Sequence, residues 1–361
     1  MPFSDSTARA ALALVLGAAL LLAPQGDAAA AMFNDLYRIT VEPQRDAPNS
    51  RSAEIREAMS ALLVRVTGSR EAQFDPTLTP LIDSAERDFV NAYGRDAQGR
   101  VSVGFNASRV SEALTRLGRP VWGPERPLTL VWVAFDDGVG ERVLLGAGEL
   151  GAVANPELAE LMQATRAELA AVASERGLPI ALPLLDLEDL GAVGFADVWG
   201  GFEDPIRAAS MRYSPDRILV GRVRLGEFGP EVQWLLLNPG ERQLLAGSTL
   251  REGLEWVADI YAGQLAVSGD AGTARIVVNG VGTLGDYGRV MSYLESQSVL
   301  QNVDVEALVG GVLTLRAAAR GDAEVIRRVL SLGGVLRPAE SGFGGPPPDT
   351  LLFEVVAGPG R

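Results

Sequence analysis

The chain contains no cysteine, no histidine and no lysine, and all 32 of its basic residues are arginine. This omission bounds what the chain can fold into. Without thiols there are no disulfides, and without thiols or imidazoles there are no zinc staples, so each domain must be held by its own apolar core. The material for such cores is present, since 47% of the 361 residues are apolar, enough for two or three domains of ordinary size. The same omission removes Ser-His-Asp and Cys-His nucleophiles, Schiff-base lysines and the P-loop lysine. A formal net charge of −14 repels phosphates, which argues against nucleic acid as a partner.

At the amino end, Arg9 precedes an apolar run from Ala10 to Ala23, Pro24 and Gly26 break it, and small residues follow at Ala28 to Ala31. This order reads as a secretory signal over residues 1–31, cleaved just before Met32 or Phe33. The run is too short to span a bilayer, and no later run reaches eighteen apolar residues, so no transmembrane segment is expected after signal removal.

Three modules follow. In residues 33–119, the alternation around Tyr37, Ile39 and Val41 predicts a strand, and Ile55, Met59, Leu62, Leu63 and Val66 fall at helical spacing. A second helix is predicted from Pro76 to Tyr93, then a strand at Val101 to Phe105 and a helix from Val110 to Leu117, giving β-α-α-β-α. Pro120 to Pro127 reads as a stiff connection. In residues 127–268, the apolar run Leu128 to Phe135 predicts a strand covered on both faces, and Pro156 to Arg176 a helix capped by Asn155. Further strands, a hairpin and a closing helix make this a mixed α/β sheet. In residues 273–357, Gly310 and Gly311 predict a tight hairpin inside a β-α-β-β-α-β order, the split, ferredoxin-like arrangement. The predicted class is a multi-domain α+β and α/β protein.

Two glycine patterns resemble dinucleotide fingerprints. Gly280 to Gly285 follows a strand and opens a helix, but the next strand returns through a hairpin and too little chain remains for a second mononucleotide half. Thr283 and Asp286 fit a helix cap instead. Gly146 to Gly151 lacks a long enough preceding strand. No cofactor and no metal is expected.

Asp136 and Asp137 sit just past one strand of the middle module, and Asp186 and Asp189 just past another. Ligands gather at such strand ends, and clustered acids there can hold Mg²⁺ or share acid-base work. Acids after strands equally cap turns. Between the second strand and the next helix, Asp197, Trp199 and Phe202 lie beside Gly200 and Gly201, and this reads as a loop that either presents aromatic rings to a partner or folds Trp199 and Phe202 inward as anchors. Arg222 and Arg224 read as side chains snorkelling from one strand face.

The order of several segments resembles a family of exported Gram-negative proteins, domain of unknown function 2066. The stretches are Leu36-Tyr37, Leu63 to Gly68, Val121-Trp122-Gly123, Arg126 to Trp132, Arg176 to Pro179, Pro183 to Asp189, Asp197 to Gly200, and Arg212-Tyr213 through Leu219 to Arg222. The helix, Tyr213 to Asp216, Ile218 to Val223 and the following hairpin look like the TolB amino-terminal domain. The resemblances imply a periplasmic address and a docking role rather than catalysis, with envelope proteins as partners in envelope assembly or maintenance. The alternative expectation is a carboxylate- or Mg-dependent periplasmic hydrolase using Asp136, Asp137, Asp186 and Asp189.

Overall fold

A computed structural model describes residues 36–44, 49–151, 153–238, 240–269, 271–339 and 350–357. The expected signal, 1–31, lies outside the described residues. The described chain is a multi-domain α+β fold built on three sheets.

The first sheet carries β1 (Arg38–Val41), α1 (Ser50–Thr67), α2 (Thr79–Asp83), α3 (Ala85–Asp88), β2 (Val90–Arg95), β3 (Val101–Phe105) and α4 (Ala107–Arg116). Its strands are antiparallel in the order β1-β3-β2. Ile55, Met59, Leu62, Leu63 and Val66 of α1 are buried in this module's core, as their spacing predicts. The single helix expected from Pro76 to Tyr93 is corrected: two short helices end at Asp88, and β2 follows. Helical spacing holds as far as Phe89. Beyond it, Asp96 accepts hydrogen bonds from the amides of Gln98 and Arg100, and Gly99 adopts φ +81°, closing a turn that brings Val90–Arg95 onto β3.

The middle sheet carries β4 (Thr129–Asp136), β5 (Arg142–Leu144), α5 (Pro156–Arg176), β6 (Ile180–Ala181), α6 (Leu187–Ala192), α7 (Phe195–Gly200), α8 (Glu203–Ser210), β7 (Arg217–Gly226), β8 (Gly229–Asn238), β9 (Glu241–Ser248) and α9 (Leu250–Leu265). The order is β5-β4-β7-β8-β9, with β6 also on β4; β4 runs parallel to β6 and β7, and the other pairs are antiparallel. Every residue of β4 is buried. Val131, Val133 and Phe135 pack in the core with residues of α5 and α9, and Leu130, Trp132 and Ala134 with those of α7 and α8. A continuous apolar run is what such two-sided cover requires. Asn155 caps α5 by accepting from the amides of Glu157 and Leu158, with Pro156 at the first helical position.

The third sheet carries β10 (Ala271–Asn279), α10 (Leu284–Ser296), β11 (Leu300–Val309), β12 (Val312–Arg320), α11 (Ala323–Leu332), β13 (Leu336–Pro338) and β14 (Thr350–Val355), in the order β11-β12-β10-β14-β13. β12 lies antiparallel between β10 and β11, the expected split arrangement, and Gly310 and Gly311 both take positive φ in the hairpin. The last strand departs from expectation. A crossover through α11 returns a strand parallel to β12, and the short β13 takes that role; β14 then turns back and runs parallel to β10. The order is therefore β-α-β-β-α-β-β.

The segment expected to be a stiff connection is instead a buried junction of all three modules. Val121 forms a bridge with Val267, the Trp122 amide donates to Val66 O (2.7 Å), and Glu125 accepts from the amide and hydroxyl of Ser298 in the third module. Arg126, fully buried, lies 3.5 Å above the Trp122 ring and donates to four backbone carbonyls: Gly123, Trp122, Arg65 and Arg176. Arg65 reaches from α1 to Ser174 O, and Arg176 reaches from α5 to Gly68 O at 2.8 Å, to Asp259 and to Glu255. Desolvation foremost pulls the Arg126 pKa down. The carbonyl ends of two helices favour the charged form in return. Replacing Arg126 by Met strips those carbonyls of their donor, and urea unfolding should show a loss of about 3–5 kcal/mol.

Candidate functional site

The four strand-end acids are bonded to the backbone around them. Asp136 accepts from the Gly138 amide (2.7 Å), and Asp137 from the amides of Val139, Gly140 and Glu141, so this pair shapes the β4–β5 turn. Asp186 is the amino-terminal cap of α6 and is bonded to Arg212, which holds its pKa below the usual range. Asp189, 1% exposed, accepts from the Leu185 amide (2.9 Å) and the Tyr213 hydroxyl (2.5 Å) and faces Arg212. Leu185 is thereby held at φ +54°, a conformation leucine avoids. β5 pairs with β4 at Asp136, and the Ala147 amide just after β5 donates to Pro183 O, so this hairpin stands between the two acid pairs. Among the described residues no group of three or more potential ligands is placed to hold a metal ion.

The segment from Asp197 to Phe202 is corrected from loop to helix end. Asp197 accepts from the Gly194 amide (2.8 Å) to start α7, and Gly201, at φ +66°, terminates it. The glycine pair therefore does not free Trp199. That ring is half-buried, stacks on Phe195 at 5.4 Å and packs against the core that holds Leu130 and Trp132. Phe202 is 57% exposed, its ring resting on Gly200. A Cβ at Gly201 would sit 2.6 Å from Arg222 Nη2 and 2.9 Å from Leu235, so glycine there also admits the arginine.

Trp199, Arg222, Arg224, Glu231 and Gln233 line a hollow of about 160 Å³ on this face. Arg222 and Arg224 alternate on β7, opposite Gln233 and Glu231 of β8. The Arg224 guanidinium lies 5.5 Å from the Trp199 ring and that of Arg142 lies 5.7 Å from Phe195, and both approach Asp136. The structure thus links Asp136 to Trp199 through Arg224, gathers Asp186 and Asp189 on Arg212, and leaves Asp137 to its turn. Arg222 is the residue that sequence reasoning took only for a side chain snorkelling from the strand face. It is half-buried, and no hydrogen bond or ion pair engages it among the described residues. Burial pushes its pKa down, and nearby Arg242 adds to the shift. Its alternation with Arg224 was the visible signal; the approach of Gly201 was not.

A family described as Domain of unknown function (DUF8605) matches residues 30–123, which span the first module and reach the junction. This is a different family from the one the sequence resembles. No curated protein and no solved structure matches the chain.

The Tyr213 pKa is pushed up to about 12, first by burial and then by its bond to Asp189. A phenol of ordinary pKa near 10 in the unfolded chain loses its proton earlier, so stability is intact below about pH 10 and falls as pH rises toward 12. The Tyr213→Phe variant should lose less stability than the wild type across that window, read as urea midpoints at successive pH values.

Proposed function

We propose that the protein is a non-catalytic interaction module of the cell envelope that docks a partner protein through the face carrying the Trp199–Arg222 hollow. The observation that carries this reading is the half-buried side chain of Arg222, unpaired in a hollow it shares with Trp199, which stacks on Phe195; exposed Phe202 follows the Gly201 that abuts Arg222. Aromatic and arginine side chains brought together in this way are the side chains that dominate binding energy at interfaces. The periplasmic address rests on the signal-like run at residues 10–23 and on the resemblance to exported proteins of domain of unknown function 2066; the docking role draws also on the TolB-like order of the middle module. The hydrolase alternative is less favoured. It needs a free acid and base facing one substrate, whereas Asp137, Asp186 and Asp189 are bonded to backbone amides and Asp136 to a turn amide and two arginines.

A photo-crosslinker placed at Gln233 should give a defined adduct in envelope extracts, and Phe202→Ala should reduce it about tenfold, the cost of losing one interface anchor. Adducts indifferent to Phe202 would contradict docking on this face. Trp199→Ala should behave differently, lowering stability by about 2–3 kcal/mol because its ring is packed against Phe195 and the core below it.

A further inference from the structure

We infer that the hollow receives a carboxylate side chain, so that the docking segment of the partner is an acidic peptide; this rests on the docking reading above. An unpaired guanidinium that has lost part of its water is an unfavourable state which a carboxylate relieves, because its two oxygens match the guanidinium fork. Arg222 is in that state. Gly201 abuts its Nη2 end so closely that a Cβ there would sit 2.6 Å away, and Gln233 faces it across the strand pair. Its neighbours on this face do not neutralise it. Arg242 adds positive charge and is itself 3.9 Å from Glu203, Arg224 is 3.9 Å from Asp136, and Arg142 is 3.4 Å from the same acid. Five guanidiniums (Arg142, Arg207, Arg222, Arg224, Arg242) thus meet three carboxylates (Asp136, Glu203, Glu231), a local positive excess in a chain of net charge −14.

The size of the hollow, about 160 Å³, narrows the occupant further. It is well below the range of roughly 300–1,000 Å³ typical of sites for whole small molecules, and suits one side chain of a longer ligand. An anionic lipid surface is repelled along its whole extent by a chain of net charge −14, whereas a single carboxylate meets only the local positive excess. In the pose this implies, the carboxylate meets Arg222, the Gln233 amide lies within the same hollow, and the aliphatic stem of the acidic residue lies against the Trp199 ring.

Selection of a displayed library of random linear peptides on the full-length protein tests this directly. Peptides enriched on the wild type should carry more Asp and Glu than the input. Their affinity should fall about tenfold or more for Arg222→Gln, the scale of a lost charge-assisted pair. The melting temperature should not change, since Arg222 makes no bond in the fold, and Arg222→Lys should recover part of the binding by restoring the charge. Enriched peptides that are uncharged yet need Phe202 would overturn the carboxylate and leave docking standing. Acidic peptides that bind Arg222→Gln as well as the wild type would also overturn it. A library that yields no binder would remove both.

Discussion

Two helices end facing one another, and carbonyls at those ends accept from arginines exchanged between them. Arg65, in the last turn of α1, donates to Ser174 O near the end of α5; Arg176, the last residue of α5, donates to Gly68 O just past α1. Arg126 fills the space between, donating to Arg65 O and Arg176 O. Apposed carboxyl ends of helices repel, since each carries a partial negative charge, and the guanidiniums supply the opposite charge where it is needed. Removing the positive side chains would leave orphaned acceptors in a buried place. In a chain with no cysteine, histidine or lysine, arginine thus fastens the first module to the middle one through backbone oxygens.

The junction extends outward from there. Arg176 also engages Glu255 and Asp259 of α9, the helix that covers one face of the middle sheet, and Glu125 ties the same segment to Ser298 of the third module. The core that runs through Val131, Val133 and Phe135 continues without a break into Ile276, Val278, Leu313 and Phe353 of the third module. The opposite face of β4 meets the short helices α7 and α8, and β7 of the same sheet presents Arg222 and Arg224 at their margin. The hollow is therefore set on a buried strand whose other face is locked into the junction, which is the rigid support a preorganised docking surface needs.

Much of the fold is legible in the residues themselves. The apolar run of β4, the Asn155-Pro156 start, the Gly310-Gly311 hairpin and the Thr283–Asp286 cap all follow from local chemistry, and the structure contains each. What escaped depended on partners distant in sequence. Helical spacing from Leu78 to Phe89 masked β2, because only pairing with Val101–Phe105 makes Val90–Arg95 a strand. β13, three residues ending in Pro338, was too short to register and so hid the reversal of β14. Arg65, Arg126 and Arg176 look like surface charges in a linear reading; nothing local announces that carbonyls of other modules await them. At the candidate site, Trp199 and Phe202 were visible as an aromatic pair, but Gly200 and Gly201 suggested a loose loop where the second glycine ends a helix.

Native-state hydrogen exchange at the junction bears most directly on this account. The amides of Val121 and Trp122, bonded to Val267 O and Val66 O, should exchange as slowly as those of β4, since they open only when the modules come apart. Fast exchange at these two amides while β4 stays protected would show the modules separating freely, and would contradict a fold fastened at the buried arginines.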